Sequence, residues 1–373
     1  MNDSRQRRGP ETWRIPFVAG AMACLGAAIW GGLVRLPVDV PLPGRSVGWA
    51  AVHGPLMVCA FLGTVISLER AVGLPWRWPY LAPLLCIMAG AHLVAGGGGR
   101  TGAALFSAAS LVSVGASLRI MKMRPELFTR LLVGGTLSWF LGNLIWLTTA
   151  EIQRSLPWWM VFLLLTIVGE RVELGRFQKP NPNAPRILTG CLAVLGLGLG
   201  WVMLELIWGQ RVFGVALMAL AVWLIRFDSA WRQIRSPGLP RFMSIFLLTG
   251  FVWLSMAGLF LIMRAPLTSG FSYDAVLHAF FVGFVISMIF SHAPVIFPGV
   301  LGLRMAWSPI FYLHGLLLQL SLLLRVSGDL WEWLPGRRWG GVLNSLTLLV
   351  FAVSTASVVW KTNRQFARTT IPA

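Results

Sequence analysis

The sequence predicts an all-α polytopic membrane protein of about twelve transmembrane helices. The chain of 373 residues is 56% hydrophobic and only 12% charged, and its mean hydropathy is +0.73. Soluble domains carry about twice that charged fraction. The apolar residues also fall into runs of about twenty residues, the length that a helix needs to cross a bilayer. These observations exclude a soluble multidomain enzyme, a disordered chain and a disulfide-rich domain.

Proline, glycine and charged residues divide the chain into twelve apolar segments. The first follows a polar tail, residues 1–14, and no small-residue cleavage site comes after it, so we interpret it as a retained helix. One transmembrane domain is predicted over residues 15–360, with a second tail at 361–373. The predicted spans are 15–36, 48–68, 79–97, 101–120, 129–149, 156–172, 186–207, 210–226, 242–263, 273–297, 306–325 and 340–360.

The distribution of basic residues predicts the orientation. If the N-terminus is cytoplasmic, 22 of the 31 Lys and Arg residues fall in cytoplasmic segments. The positive-inside rule therefore accounts for the net charge of +18 and places both termini in the cytoplasm. The expected partner is the lipid bilayer, not a nucleic acid. The cysteines stand singly in apolar runs and are interpreted as small buried hydrophobic residues: Cys24, Cys59, Cys86 and Cys191.

All five histidines fall inside predicted spans. Polar side chains are costly within a bilayer and are therefore functional candidates, and histidine is a common ligand of metals and haem. We predict at least one bound metal or haem, although a single buried histidine is more often a hydrogen-bonded structural residue. The candidate ligands are His53, His92, His278, His292 and His314.

His53 and His278 form the best-matched pair. Each lies about five residues into its span, the second and the tenth, and both spans run from the outside inward. The two imidazoles are therefore predicted at the same depth, as the two axial ligands of one haem require. The resulting prediction is a b-type haem held between these helices on the outer side of the membrane.

The spacing of His278 and His292 suggests a second site. At about 100° per residue, fourteen residues of α-helix bring both side chains to one face within about 40°, and about 21 Å apart along the axis. A second haem at the inner level would need His314 as its other ligand. The alternative is that His292 is a structural residue that hydrogen-bonds backbone freed by the two prolines after it.

Short repeats link the second, sixth and tenth spans. TVISLER at 64–70 resembles TIVGER at 166–171, and FLGTVIS at 61–67 resembles FVGFVIS at 281–287. Because these spans are four apart, the repeats favour three pseudo-repeated arcs of four helices. The Glu–Arg pairs that end the first two segments are interpreted either as solvated interfacial ion pairs or as an anion or propionate clamp.

Twelve spans, cytoplasmic termini and a histidine near the outer end of spans two and ten resemble the catalytic subunit of haem–copper oxidases. In that family, these two helices ligate the low-spin haem, so the resemblance implies that His53 and His278 do so here. The copper B histidines of the family have no counterpart, because spans six and seven contain no histidine. Oxygen or nitric oxide reduction at such a centre is therefore not implied.

The segments WAAVHGPLMVCAFLGTVI and LHAFFVGFVISMIFSHAP are similar to histidine-bearing helices of the NnrS family, twelve-span haem proteins linked to nitric oxide stress in denitrifying bacteria. This resemblance implies haem ligation by His53 and His278, and its copper would take ligands from His92, His292 or His314. It also implies a bacterial inner-membrane location and a role in nitric oxide tolerance or respiratory redox metabolism. Nitric oxide or a quinone-type electron donor would then be a partner.

Two other functions remain open from the residues themselves. A proton-coupled secondary transporter is compatible with twelve spans and with intramembrane His and Glu residues. A structural subunit of a larger complex would use the histidines as polar contacts in its core. Before His278, Tyr273 and Asp274 are interpreted as an interfacial aromatic and a residue of the helix start, with contact to an imidazole as the alternative.

Overall fold

The computed structural model describes residues 11–36, 46–176 and 181–370, in which it contains twelve long helices and no strand. Eleven of them are long and apolar enough to cross a membrane, and the third is a shorter apolar helix. The protein is therefore an all-α polytopic membrane protein, as predicted. The helices are α1 (Ile15–Val34), α2 (His53–Val72), α3 (Trp78–Val94), α4 (Gly99–Met123), α5 (Leu127–Thr149), α6 (Ile152–Gly175), α7 (Asn183–Leu204), α8 (Leu206–Phe227), α9 (Leu239–Arg264), α10 (Gly270–Leu301), α11 (Phe311–Leu330) and α12 (Leu334–Thr370).

The last helix is longer than predicted. Helix α12 continues to Thr370, so most of the predicted tail at 361–373 is helical. Side chains of this extension bind the segment before α11, where Asn363 accepts the backbone N–H of Arg304 and donates to its carbonyl oxygen. Residues 371–373, and residues 1–10 of the predicted N-terminal tail, lie outside the described part of the chain.

The tenth helix also exceeds its predicted span. It runs through Pro294 and Pro298 and ends at Leu301, beyond the predicted boundary at residue 297. A proline removes one backbone hydrogen bond, but a helix packed among other membrane helices tolerates the loss. The helix ends where Gly302 adopts a left-handed conformation, with φ of 64°.

Consecutive helices contact each other and alternate in direction. We call the end of the bundle at which α1 begins the proximal end, and the opposite end, at which α2 and α10 begin, the distal end. Helix α10 occupies a central position, since it contacts α2, α6, α9 and α11. The second, sixth and tenth helices thus meet inside the bundle, while their grouping into three pseudo-repeated arcs remains a prediction.

Glycines allow the closest approaches between neighbouring helices. A methyl group on Gly214 of α8 would lie 2.6 Å from the carbonyl oxygen of Gly258 on α9. A methyl group on Gly328 of α11 would lie 2.2 Å from the backbone nitrogen of Arg337 on α12. Small residues are the usual means by which membrane helices pack closely, and at α11 and α12 this packing brings two arginines together.

The π-helical stretches Leu56–Leu62 and Ala279–Ile286 follow His53 and His278, respectively. Such wide turns are rare in proteins and often occur at functional sites. The second stretch also overturns the α-helical calculation for His278 and His292, because eight residues between them do not follow 100° per residue. The two side chains consequently have different surroundings.

Tryptophan side chains pack against the glycines of the FLGTVIS and FVGFVIS repeats. A methyl group on Gly63 would lie 2.6 Å from Cζ2 of Trp139, and one on Gly283 would lie 2.5 Å from Cγ of Trp253. The Trp253 indole N–H donates to Gln319, whose amide donates to Ser287 at the end of the second repeat. In both repeats, the glycine therefore leaves the space that an indole ring occupies.

We expect Gly283→Ala to destabilise the protein by about 1–3 kcal/mol, the usual effect of overpacking. The new methyl group would meet the Cβ and Cγ atoms of Trp253, which cannot move away by rotation of a flexible chain end. Gly196→Ala is the matched control, because no atom lies within 4 Å of its added methyl group. Thermal unfolding in detergent, followed by tryptophan fluorescence, measures both variants. Equal midpoints for the two would contradict the packing argument.

Candidate cofactor site

A cavity of about 230 Å³ opens among α1, α2, α6, α10, α11 and α12 at the distal end of the bundle. Both predicted haem ligands, His53 and His278, line it. The structure thus brings together two residues that are more than two hundred positions apart in the sequence. Apolar side chains of α1, α2 and α10 form much of the remaining wall, and most of the polar groups come from α10, α11 and α12.

The two imidazoles are held in the same way. Nδ1 of His53 lies 2.6 Å from the carbonyl oxygen of Ala28, and Nδ1 of His278 lies 2.7 Å from the carbonyl oxygen of Asp274. Because a carbonyl oxygen only accepts, each Nδ1 carries the proton. Nε2 has no hydrogen-bond partner among the described residues in either ring. A ring whose other nitrogen donates to a backbone carbonyl is the usual state of a metal-ligating histidine.

The local backbone of α2 places His53 at the cavity. A short helix, Ser46–Ala51, ends at Val52, whose φ of −107° and ψ of 13° break the helical path, and α2 begins at the next residue. The imidazole then lies against α1 at Gly32, where a methyl group would be 2.9 Å from Cε1 of the ring. The lack of a side chain at Gly32 therefore makes room for this ring.

A buried ion network forms the polar wall of the cavity. Arg337 donates to Asp274 at 2.5 Å and to Asp329 at 2.6 Å, and Arg325 donates to Asp329 at 3.0 Å. Arg325 also pairs with Asp274 at 3.6 Å, and its Nη1 donates to the carbonyl oxygen of Arg337. Asp329 is fully buried. This network links α10, α11 and α12 directly beside His278.

Tyr273 and Asp274 both line the cavity, so the favoured sequence interpretation was incomplete. Asp274 lies inside the first turns of α10, where it is buried and its carboxylate pairs with arginines. Its backbone carbonyl, one turn before His278, accepts the imidazole proton. The alternative interpretation, in which this segment contacts an imidazole, matches the geometry.

His292 lies at the proximal side of α10 and does not line the cavity. Its Nε2 accepts from Nη1 of Arg171 at 3.2 Å, and its Nδ1 donates to the carbonyl oxygen of Met288 at 2.8 Å. Both ring nitrogens are therefore in use. His292 is held structurally, as the alternative interpretation supposed, although its backbone partner is Met288 rather than a carbonyl freed by proline.

The other two histidines are also apart from the cavity. His314 is buried among aromatic rings, with Phe290 at 4.9 Å and Phe351 at 5.2 Å between centroids, and its Nδ1 contacts the hydroxyl of Ser354. His92 packs beneath the glycine turn that follows α3, and its Nε2 is buried without a hydrogen-bond partner. Among the described residues, no group of three or more His, Cys, Asp or Glu side chains is arranged to hold a metal ion.

The two Glu–Arg pairs at the proximal end form contacts across the bundle rather than within each pair. Arg70 of α2 donates to Glu170 of α6 at 2.5 Å. The neighbouring Arg171 makes a two-pronged contact with Asp228, at 2.6 and 2.9 Å, and its side chain is only 3% exposed. The interpretation of solvated interfacial pairs is therefore wrong for Arg171. This cluster ties α2, α6, α10 and the end of α8 together.

A family comparison covers nearly the whole chain. The model of DUF8744, described as a domain of unknown function, matches residues 14–360. The chain belongs to this family. The matched region of the DUF8744 chain includes the cavity, both imidazoles and the ion network, so these features lie within the family domain. No curated protein matches this DUF8744 chain significantly.

Sequence reasoning missed the arginines of the DUF8744 cavity. Arg325 and Asp329 stand four residues apart at the end of an otherwise apolar span, a spacing that places both on one helix face. Charges within a span are functional candidates by default, and this rule would have found them. Arg337 lies at the start of the next helix, and only the packing of α11 against α12 reveals that it shares their partners.

Proposed function

We propose that this protein binds one b-type haem at the distal end of the bundle through His53 and His278. The observation that carries the proposal is the pair of imidazoles, on separate helices, that line one cavity with Nδ1 fixed by a backbone carbonyl. A hydrogen bond from Nδ1 to a backbone carbonyl orients the ring and raises the basicity of the other nitrogen. Cofactor sites in helix bundles are built from side chains on facing helices, and histidine is an axial ligand of haem in several protein families.

The residues around the two imidazoles are suitable for binding a haem. Apolar side chains, including Leu277 and Phe281, line the part of the cavity near His278 and would exclude water from a macrocycle. Haem supplies one-electron chemistry and a binding site for small gases. The protein's own contribution is to orient the rings and to hold fixed charges nearby in the ion network of Arg325 and Arg337. Copper is not part of this proposal, because His92, His292 and His314 lie in separate environments.

The biological setting of the proposal comes from the resemblance to NnrS and the haem–copper oxidases. We propose a role in nitric oxide tolerance or respiratory redox metabolism in a bacterial inner membrane, with nitric oxide or a quinone-type donor as partner. The basic residues of the chain support cytoplasmic termini by the positive-inside rule. The proximal end would then face the cytoplasm and the haem would lie near the outer surface.

The decisive experiment is a reduced-minus-oxidised visible spectrum of the purified protein, with a pyridine haemochrome assay for the type and amount of haem. We expect b-type bands and about one haem per chain, because one cavity contains one pair of ligands. A folded protein that remains free of haem after expression with added haem precursor would overturn the proposal. Proton-coupled uptake into proteoliposomes would then test the alternative that the protein is a secondary transporter. In that case, the buried charged residues at both ends of the bundle would be candidates for proton transfer.

A further inference from the structure

The distal cavity carries more positive charge than its ion network neutralises. Arg35, Arg325 and Arg337 line the cavity, and among the described residues the carboxylates that pair with these arginines are those of Asp274 and Asp329. Both aspartates are shared by Arg325 and Arg337, and the guanidinium of Arg35 has no hydrogen-bond partner among the described residues. In the part of the chain that the structure describes, three guanidinium groups thus face two carboxylates at this cavity, if both imidazoles are neutral. A charged cleft with low-dielectric walls concentrates ions of the opposite sign.

The cavity also offers directed hydrogen-bond donors. The two network arginines are held by ion pairs with the aspartates, and their side chains are only 4% and 14% exposed. Asn344 accepts the hydroxyl of Ser321 through Oδ1, which leaves its NH2 group to donate toward the cavity that it lines. Arginine and amide N–H groups held in place are the preferred partners of carboxylates and similar oxyanions.

We propose that the arginine side of this cavity is a binding site for a small oxyanion of the carboxylate type. Arg35 at the exposed rim attracts the anion, and Arg325, Arg337 and Asn344 donate to it inside. A volume of about 230 Å³ is many times the roughly 10–15 Å³ that a cavity needs to hold one water molecule, and so accommodates such an ion. This site goes beyond the proposed haem binding and does not require it. The carboxylate is either free or carried by a larger ligand.

Calorimetric titration of the purified protein at low ionic strength tests the site, with sodium acetate as the probe. Acetamide, a neutral molecule of the same shape, and sodium chloride are the controls for shape and for charge. We expect saturable binding of acetate alone, at one site per chain. Arg35→Gln should weaken acetate binding at least tenfold and Arg35→Lys less, while Arg100→Gln, an exposed arginine away from the cavity, should leave it unchanged.

A second arm identifies the source of the carboxylate. The titration is repeated on protein loaded with haem and on protein loaded with haem dimethyl ester, which lacks free carboxylates. Acetate binding that persists with the ester but disappears with haem supports the site, with the cofactor's own carboxylates as occupant. Binding that persists with both supports a free anion. The proposal is overturned if acetate produces no saturable signal in haem-free protein and Arg35→Gln leaves the affinity for haem unchanged.

The two proposals fail separately. If the protein binds acetate and does not bind haem, the oxyanion proposal stands and the haem proposal fails. If the protein binds haem and its dimethyl ester equally and does not bind acetate, the haem proposal stands and the oxyanion proposal fails. Arg35 is exposed, so its substitution leaves the buried network intact, and a thermal unfolding midpoint close to that of the unmodified protein verifies this.

Discussion

His53→Ala and His278→Ala are each expected to remove the six-coordinate haem spectrum and to lower haem content by at least about tenfold, since even loss of a group behind a metal ligand costs about 10- to 100-fold in affinity. The two imidazoles line the same cavity from α2 and α10, so either substitution leaves at most one axial ligand. The measurement is the haem-to-protein ratio together with the visible spectrum of each purified variant.

His92→Ala is the matched control for this prediction. His92 belongs to the same distal half of the bundle but lines no part of the cavity, and its Nε2 has no hydrogen-bond partner. We expect this variant to keep its haem. His53→Gly supplied with free imidazole separates loss of a ligand from loss of folding, because the small molecule can occupy the vacated space. Normal haem content in both His53→Ala and His278→Ala would exclude these residues as ligands.

Removing either member of the Arg171–Asp228 pair should cost about 3–5 kcal/mol of stability, because it leaves an uncompensated buried charge. The side chains are only 3% and 2% exposed, and Arg171 also donates to Ser229 and His292. Each single variant, Arg171→Met and Asp228→Leu, is compared with the double variant. Replacement of both charges by apolar residues should recover much of the loss, as it does for other buried ion pairs.

The exposed pair of Arg154 and Glu151 on the same polypeptide provides the contrast. Their side chains are 62% and 53% exposed, so removal of this ion pair should change stability by less than about 1 kcal/mol. Unfolding in mixed detergent micelles, followed by tryptophan fluorescence, measures all variants. Haem content per folded molecule should stay constant in the Arg171 and Asp228 variants, because the Arg171–Asp228 pair lies at the proximal end, away from the cavity. Additive effects of Arg171→Met and Asp228→Leu would contradict the coupling.

The sequence by itself was sufficient for the fold class, and it predicted that His53 and His278 lie at similar depth. Apolar runs of about twenty residues identify the helices that cross a bilayer. Equal depth makes two histidines candidates for one site, but only the packing of α2 against α10 brings both rings to the same cavity. The prediction that His278 and His292 share one helix face was wrong, because the calculation of the angle between them assumes a regular α-helix. A π-helical stretch of eight residues changes that angle without any mark in the hydropathy pattern.

Only the tertiary structure decided which charged groups act together. Arg70 pairs with Glu170, one hundred residues away, and Arg337 pairs with Asp274, 63 residues away, although each has a closer charge in sequence. The length and polarity of a span determine its place in the membrane. The partner of a buried charge depends instead on which helices pack side by side, and in this bundle that packing depends on glycines that let backbones touch and on indoles that fill the space opposite them.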